Sequence, residues 1–149
     1  MATINAYIKF SGVAEEAMKF YKNALGGEFI ATLRYGDNAE EADKVNLSDK
    51  DKIAFMVLAV GNGTTIMASD VIGSAVNDVI EGNNMYVYIN METRNAVDAA
   101  FSKLKIGGNV RSTPGKTPWG GYYCEFVDKF DISWIINYQQ DLGPLSRRP

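Results

Sequence analysis

The sequence contains no histidine and one cysteine, Cys124, in 149 residues. Without imidazole there is no Ser-His or Cys-His nucleophile pair and no His-containing metal motif. With one thiol there is no internal disulfide, and a reducing cytoplasm is the expected setting. A metal would have to rely on carboxylates, which suit hard ions; no metal and no cofactor are expected. No apolar run reaches the roughly 20 residues that a membrane span needs. The start, Met1-Ala2-Thr3-Ile4-Asn5, lacks a basic region followed by an apolar one, so neither a signal peptide nor a membrane partner is expected. Basic runs are missing too, and the net charge is -3, which disfavours nucleic acid as a partner. What remains is a globular chain, 46% hydrophobic and 22% charged, of the size of one domain or two small halves.

Patterning then supplies elements. Ile4 to Phe10 alternates as a strand, with Ser11-Gly12 placed to break it and cap the next element. Val13 to Leu25 has a helical stripe of Ala14, Ala17, Met18, Tyr21, Ala24 and Leu25, closed by Gly26-Gly27. Strands follow at Glu28 to Tyr35, Ile53 to Val60 and Thr64 to Ser69, with a polar loop and a short helical turn at Glu40 to Asp43 between the first two. The pattern restarts at Met85. A strand to Met91 precedes Thr93, a candidate N-cap, and a helix from Arg94 to Leu104 closed by Gly107-Gly108. A short strand, Asn109 to Ser112, and a Pro/Gly loop, Thr113 to Pro118, lead to a hairpin: Tyr122 to Val127, a turn at Asp128 to Asp131, and Ile132 to Asn137.

Phe20 and Phe101, Gly26 and Gly107, Gly27 and Gly108, and Ile8 and Ile89 are each separated by the same 81 residues. That spacing predicts an internal duplication. The expected fold is α+β: two βαβββ modules in tandem, 1–70 and 85–137, with a linker at 71–84 and a tail at 138–149, together one structural domain. The helices lie outside, and curved mixed sheets enclose a groove.

Several stretches resemble the PhnB-like branch of the vicinal oxygen chelate superfamily, which includes glyoxalases, extradiol dioxygenases and bleomycin resistance proteins. They are Ala14-Glu15-Glu16-Ala17-Met18-Lys19-Phe20-Tyr21 with Gly26-Gly27, Arg34-Tyr35-Gly36-Asp37, Ile66-Met67-Ala68-Ser69-Asp70, Trp119-Gly120, and Asp128-Lys129-Phe130 with Trp134-Ile135-Ile136-Asn137. The resemblance spans nearly the whole chain and implies the same duplicated βαβββ fold. It also implies metal ligands on the first and fourth strands of each module. Here those positions fall at Asn5 or Ala6, Met67, Tyr86 or Val87, and Ile135, and a third-strand His of such relatives is replaced by Phe55. Some relatives carry a methyltransferase name, but no glycine-rich loop between a strand and a helix is present here to hold a methyl donor.

Alternation, taken with the more apolar face packed on the helices, nominates a ligand pocket of Tyr7, Lys9, Phe55, Val57, Met67, Tyr86, Tyr88, Tyr123 and Glu125, with Trp119 over its mouth. Taken singly, each aromatic suits an ordinary filled core between sheets better than a pocket. No catalytic residue stands out; Glu125, the one charge in its strand, is a weak candidate. The expected function is metal-free binding of an unidentified small molecule by a homodimer. The alternatives are a lyase-, isomerase- or transferase-like enzyme using a carboxylate such as Glu125, and a degenerate interaction module whose groove is filled.

Overall fold

The computed structural model describes residues 1–38, 40 and 42–139. They divide into two compact units, one ending at Ile80 and one beginning at Glu81. Each unit is a four-stranded mixed sheet with one helix on one face, so the α+β fold of two βαβββ modules is present.

In the first unit, β1 (Ala6–Phe10), α1 (Ala14–Leu25), β2 (Glu28–Arg34), β3 (Ile53–Gly61) and β4 (Thr64–Asp70) form a sheet of order β1-β4-β3-β2. β1 runs parallel to β4, the connection that a crossover helix allows, and the other pairs are antiparallel. α1 buries Ala14, Ala17, Met18 and Tyr21. They meet the sheet face carrying Phe10, Met56, Leu58, Ile66 and Ala68, all buried. Removing this apolar area from water is the main source of the unit's stability.

The helix start corrects the sequence reading. Neither Ser11 nor Gly12 caps α1, and its N-cap, Val13, offers no side-chain bond. Instead Asp70, at the end of β4, accepts from the backbone N–H groups of Gly12 at 3.0 Å and Ala14 at 2.9 Å. Its other oxygen accepts from Ile53 N at 2.9 Å. One buried carboxylate thereby ties β1, α1 and β3 together and sits where the helix dipole favours negative charge. The loop after β2 carries three short 3-10 turns, Tyr35–Asp37, Ala42–Lys44 and Leu47–Asp49; the turn expected from Glu40 includes Glu41, which lies outside the described residues.

In the second unit, β5 (Tyr86–Asn90), α2 (Arg94–Leu104), β6 (Asn109–Lys116), β7 (Gly121–Val127) and β8 (Ser133–Gln139) repeat the plan, with order β5-β8-β7-β6. Thr93 caps α2 as expected, its Oγ1 accepting from Ala96 N at 3.0 Å. The stripe Val97, Ala100, Phe101 and Leu104 is buried, with Phe101 edge-on to Phe126. Asp131 takes the left-handed backbone, φ 65°, in the turn before β8. The strand Asn109 to Ser112 continues instead to Lys116, through the stretch read as a loop. Proline is tolerated there because β6 is an edge strand and its register slips between Val110 and Ser112 and between Ser112 and Gly115. β8 likewise runs on to Gln139, into the stretch read as tail; 140–149 lie outside the described residues.

Candidate functional site

Pairing register fixes which side chains share a face. In the first unit Tyr7, Met67, Val57 and Ala31 form one cross-strand row, with Lys9 and Ser69 beside it and Phe55 paired to Leu33. This is the face opposite α1. Tyr7 is 47% exposed and stacks on Phe55 at a centroid distance of 6.3 Å. Val57 is buried, Phe55 and Met67 are half-buried, and Lys9 is exposed. Beside them Asn5 Oδ1 accepts from Thr65 N at 3.2 Å, and Thr65 Oγ1 is buried without a partner among the described residues.

In the second unit the helix-free face carries Tyr86, Ser133, Val127 and Asn109 in one row. Tyr88, Ile135, Glu125 and Ser112 form the next, and Asn90, Asn137 and Tyr123 the third. Here the polar groups are interlinked. Arg111 Nη1 donates to the Tyr86 hydroxyl at 3.0 Å. A hydrogen bond to Glu125 holds the Tyr86 phenol above its ordinary pKa, because the carboxylate opposes a second negative charge; burial adds to this and Arg111 works against it. Tyr88 donates to Asn90 Oδ1 at 3.2 Å, and Asn137 Nδ2 donates to the same oxygen at 3.1 Å.

The nominated side chains therefore fall into two sets: Tyr7, Lys9, Phe55, Val57 and Met67 on the first sheet, and Tyr86, Tyr88, Tyr123 and Glu125 on the second. Trp119 precedes β7, with its indole nitrogen close to Gly121. It occupies the β6–β7 turn, 63% exposed, with its carbonyl accepting from Gln139 Nε2 at 3.1 Å. Cys124 points to the helix side, paired with Ile136, and is fully buried. Burial pushes its thiol up to about 11, as expected of an inert core residue.

The register also shows which faces hold the positions at which the resemblance implies metal ligands. Ala6 pairs with Ile66, and Val87 with Trp134, on the helix sides, which leaves Asn5 and Tyr86 as the first-strand residues alternating toward the free faces. The fourth-strand positions that the resemblance singles out, Met67 and Ile135, pair with Tyr7 and Tyr88. A thioether, an alkyl chain, an amide and a phenol do not make a divalent-ion site. Among the described residues no three His, Cys, Asp or Glu side chains converge. The residues present do not fit the metal that the fold implies.

Sequence reasoning missed a recess of about 500 Å³ in the second unit. Its lining includes Glu81, Asn83, Asn109, Arg111, Asp131 and Ser133. Ser133 and Asn137 were within reach of sequence reasoning, since Trp134 and Ile136 alternate with them. Arg111 was not. It lies where β6 slips register against β7, between the pairs Val110–Phe126 and Ser112–Glu125, and such bulges re-aim side chains.

Comparison with known proteins adds the following. A family model described as Glyoxalase/Bleomycin resistance protein/Dioxygenase superfamily matches residues 3–136. The crystal structure of protein PA1353 from Pseudomonas aeruginosa is similar at TM-score 0.78 and 31% identity, over 95% of this chain and 100% of that one. A Bacillus cereus PhnB protein described as a putative 3-demethylubiquinone-9 3-methyltransferase matches at TM-score 0.71 and 24% identity, over 92% and 99% of the two chains. Protein YjdN of Escherichia coli strain K12 is 21% identical over 140 residues, 90% of this chain and 93% of that protein.

Proposed function

The chain belongs to the Glyoxalase/Bleomycin resistance protein/Dioxygenase superfamily, and on that premise we propose that it binds a small organic molecule without a metal. One observation carries the reading. The helix-free faces hold half-exposed aromatics and hydrogen-bonding groups, while the four positions that relatives use for metal ligands carry Asn5, Met67, Tyr86 and Ile135. A largely apolar surface with a few fixed polar groups is what small-molecule sites usually offer. Tyr7 against Phe55 supplies a flat platform; Tyr86, Glu125 and Arg111 supply direction. The protein acts in the cytoplasm as a homodimer, a state that would cover surface such as Ile30, 65% exposed on the edge strand β2. Nothing around the start of α1 supports the methyl transfer named in the description of the Bacillus cereus protein. The turn from β1 to α1 is only Ser11 to Val13, and Asp70 already fills the anionic place at the helix start.

Native mass spectrometry of untagged protein, with elemental analysis, tests the reading. An organic adduct that is lost in Phe55→Ala, with well under one metal per chain, is expected. Stoichiometric transition metal that resists a chelator would overturn it.

A second reading has its own support. The Tyr86–Glu125–Arg111 constellation resembles an acid–base pair held in place by a cation. Here Glu125 takes a proton from a bound substrate and Tyr86 stabilises the product oxygen. Turnover abolished by Glu125→Gln with ligand binding retained would select this reading over simple binding.

A further inference from the structure

We propose that the recess beside the Tyr86–Arg111 bridge is a subsite for a neutral polyhydroxylated small molecule, such as a sugar or cyclic polyol. This rests on the small-molecule-binding reading and narrows its ligand class. The recess lies at the end of the helix-free face where Asn109, Val127 and Ser133 share a row. Among its side chains only Val127 is apolar, which argues against a hydrophobic occupant. Arg111 is set against two carboxylates, Glu81 and Asp131. An anion would meet net repulsion there, and Arg111 is already engaged by Tyr86.

The remaining groups are complementary. Asn83 and Asn109 each present a carbonyl oxygen and an NH2 group, Ser133 presents a hydroxyl, and Glu81 and Asp131 only accept. None of these five side chains has a hydrogen-bond or ion-pair partner among the described residues. A ligand hydroxyl both donates and accepts, so it is satisfied by a carboxylate on one side and an amide or guanidinium on the other. A row of hydroxyls uses such a mixed lining fully, whereas an amine, which only donates when protonated, would leave the amide N–H groups unanswered. The volume of about 500 Å³ lies within the usual range for small-ligand sites.

The test is an NMR titration of the full, isotopically labelled chain with myo-inositol, glucose, citrate and spermidine in turn. The polyol and the sugar are expected to shift the side-chain amides of Asn83 and Asn109 and the backbone amides of Val127 and Ser133, and the affinity read from the backbone amides should fall about tenfold in N83A/N109A. These side chains are exposed and outside the core, so the variant's spectrum should stay dispersed and its fold intact. Citrate or spermidine binding more tightly in the recess than either neutral probe would overturn the polyol class. Shifts confined to Phe55, Met67 or Tyr88 would remove the subsite and leave small-molecule binding standing. No shift anywhere, with no adduct in the native mass spectrum, would remove both.

Discussion

Tyr86 and Arg111 stand on the two outer strands of the second sheet, yet their side chains meet at 3.0 Å. Strands β8 and β7 lie between them, and three spacings of about 4.8 Å separate the backbones. Both side chains must lean inward over Ser133 and Val127. The bulge that carries Arg111 and the length of the two side chains make this possible.

The Tyr86 phenol should report the bridge. Its raised folded pKa means that its contribution is fully present below the ordinary value of 10.0 and is lost as pH rises through the raised one. Titration of tyrosinate absorbance should show one transition moving down in Glu125→Gln, which removes the main cause, and up in Arg111→Gln. Movement in the same direction in both variants would contradict the assignment.

Asp70→Ala should cost about 2–4 kcal/mol in chemical denaturation, because three backbone N–H groups lose an ionised acceptor and two of the bonds are buried. Asp70→Asn should fall between the variant and the parent. A loss under about 0.5 kcal/mol would mean that water replaces the carboxylate without penalty.

Arg34 makes a two-pronged contact with Glu15, at 2.6 and 3.1 Å, and holds that carboxyl below its ordinary value of 4.5. Both side chains are about one-third exposed, at 32% and 35%. Solvent screening therefore limits the loss in Arg34→Ala to roughly 0.5–1 kcal/mol. A depressed folded pKa gives stability that is present above 4.5 and lost as pH falls through the lowered value. The difference between parent and variant in thermal melts should accordingly shrink on acidification.

Cys124, with its thiol near 11 and no exposed surface, should resist alkylation in the native protein at pH 8. It should react at the rate of a free thiol once denaturant is added. Rapid native labelling would show that β7 opens away from α2.

Local patterns in the chain were legible, and contacts made at a distance were not. Both helices and the Thr93 cap follow from neighbours within a few residues, and the 81-residue spacing is the recurrence of those local patterns. Alternation assigned Tyr7, Phe55, Met67, Tyr88, Tyr123 and Glu125 to faces opposite the helices of their own units, because strand periodicity is rigid. The Asp70 cap was hidden because its donors lie 56 and 58 residues away. β6 was cut short because Pro114 argues for a loop unless one knows that the strand is an edge. Arg111 depended on a bulge, which leaves no mark in the hydropathy pattern.

Gly27 and Gly108 hold equivalent places in the two units. A Cβ at Gly27 would strike the carbonyl of Ala59, and one at Gly108 that of Val127. In both units, main chain presses on main chain with no room for compensation. Any side chain larger than hydrogen must push β3 or β7 aside, so both sites demand glycine. The sheet faces answer to no such constraint. The first unit accordingly carries the apolar pair Tyr7 and Phe55 where the second carries linked tyrosines, Arg111 and Glu125. The joints of the two units are alike and their open faces are different.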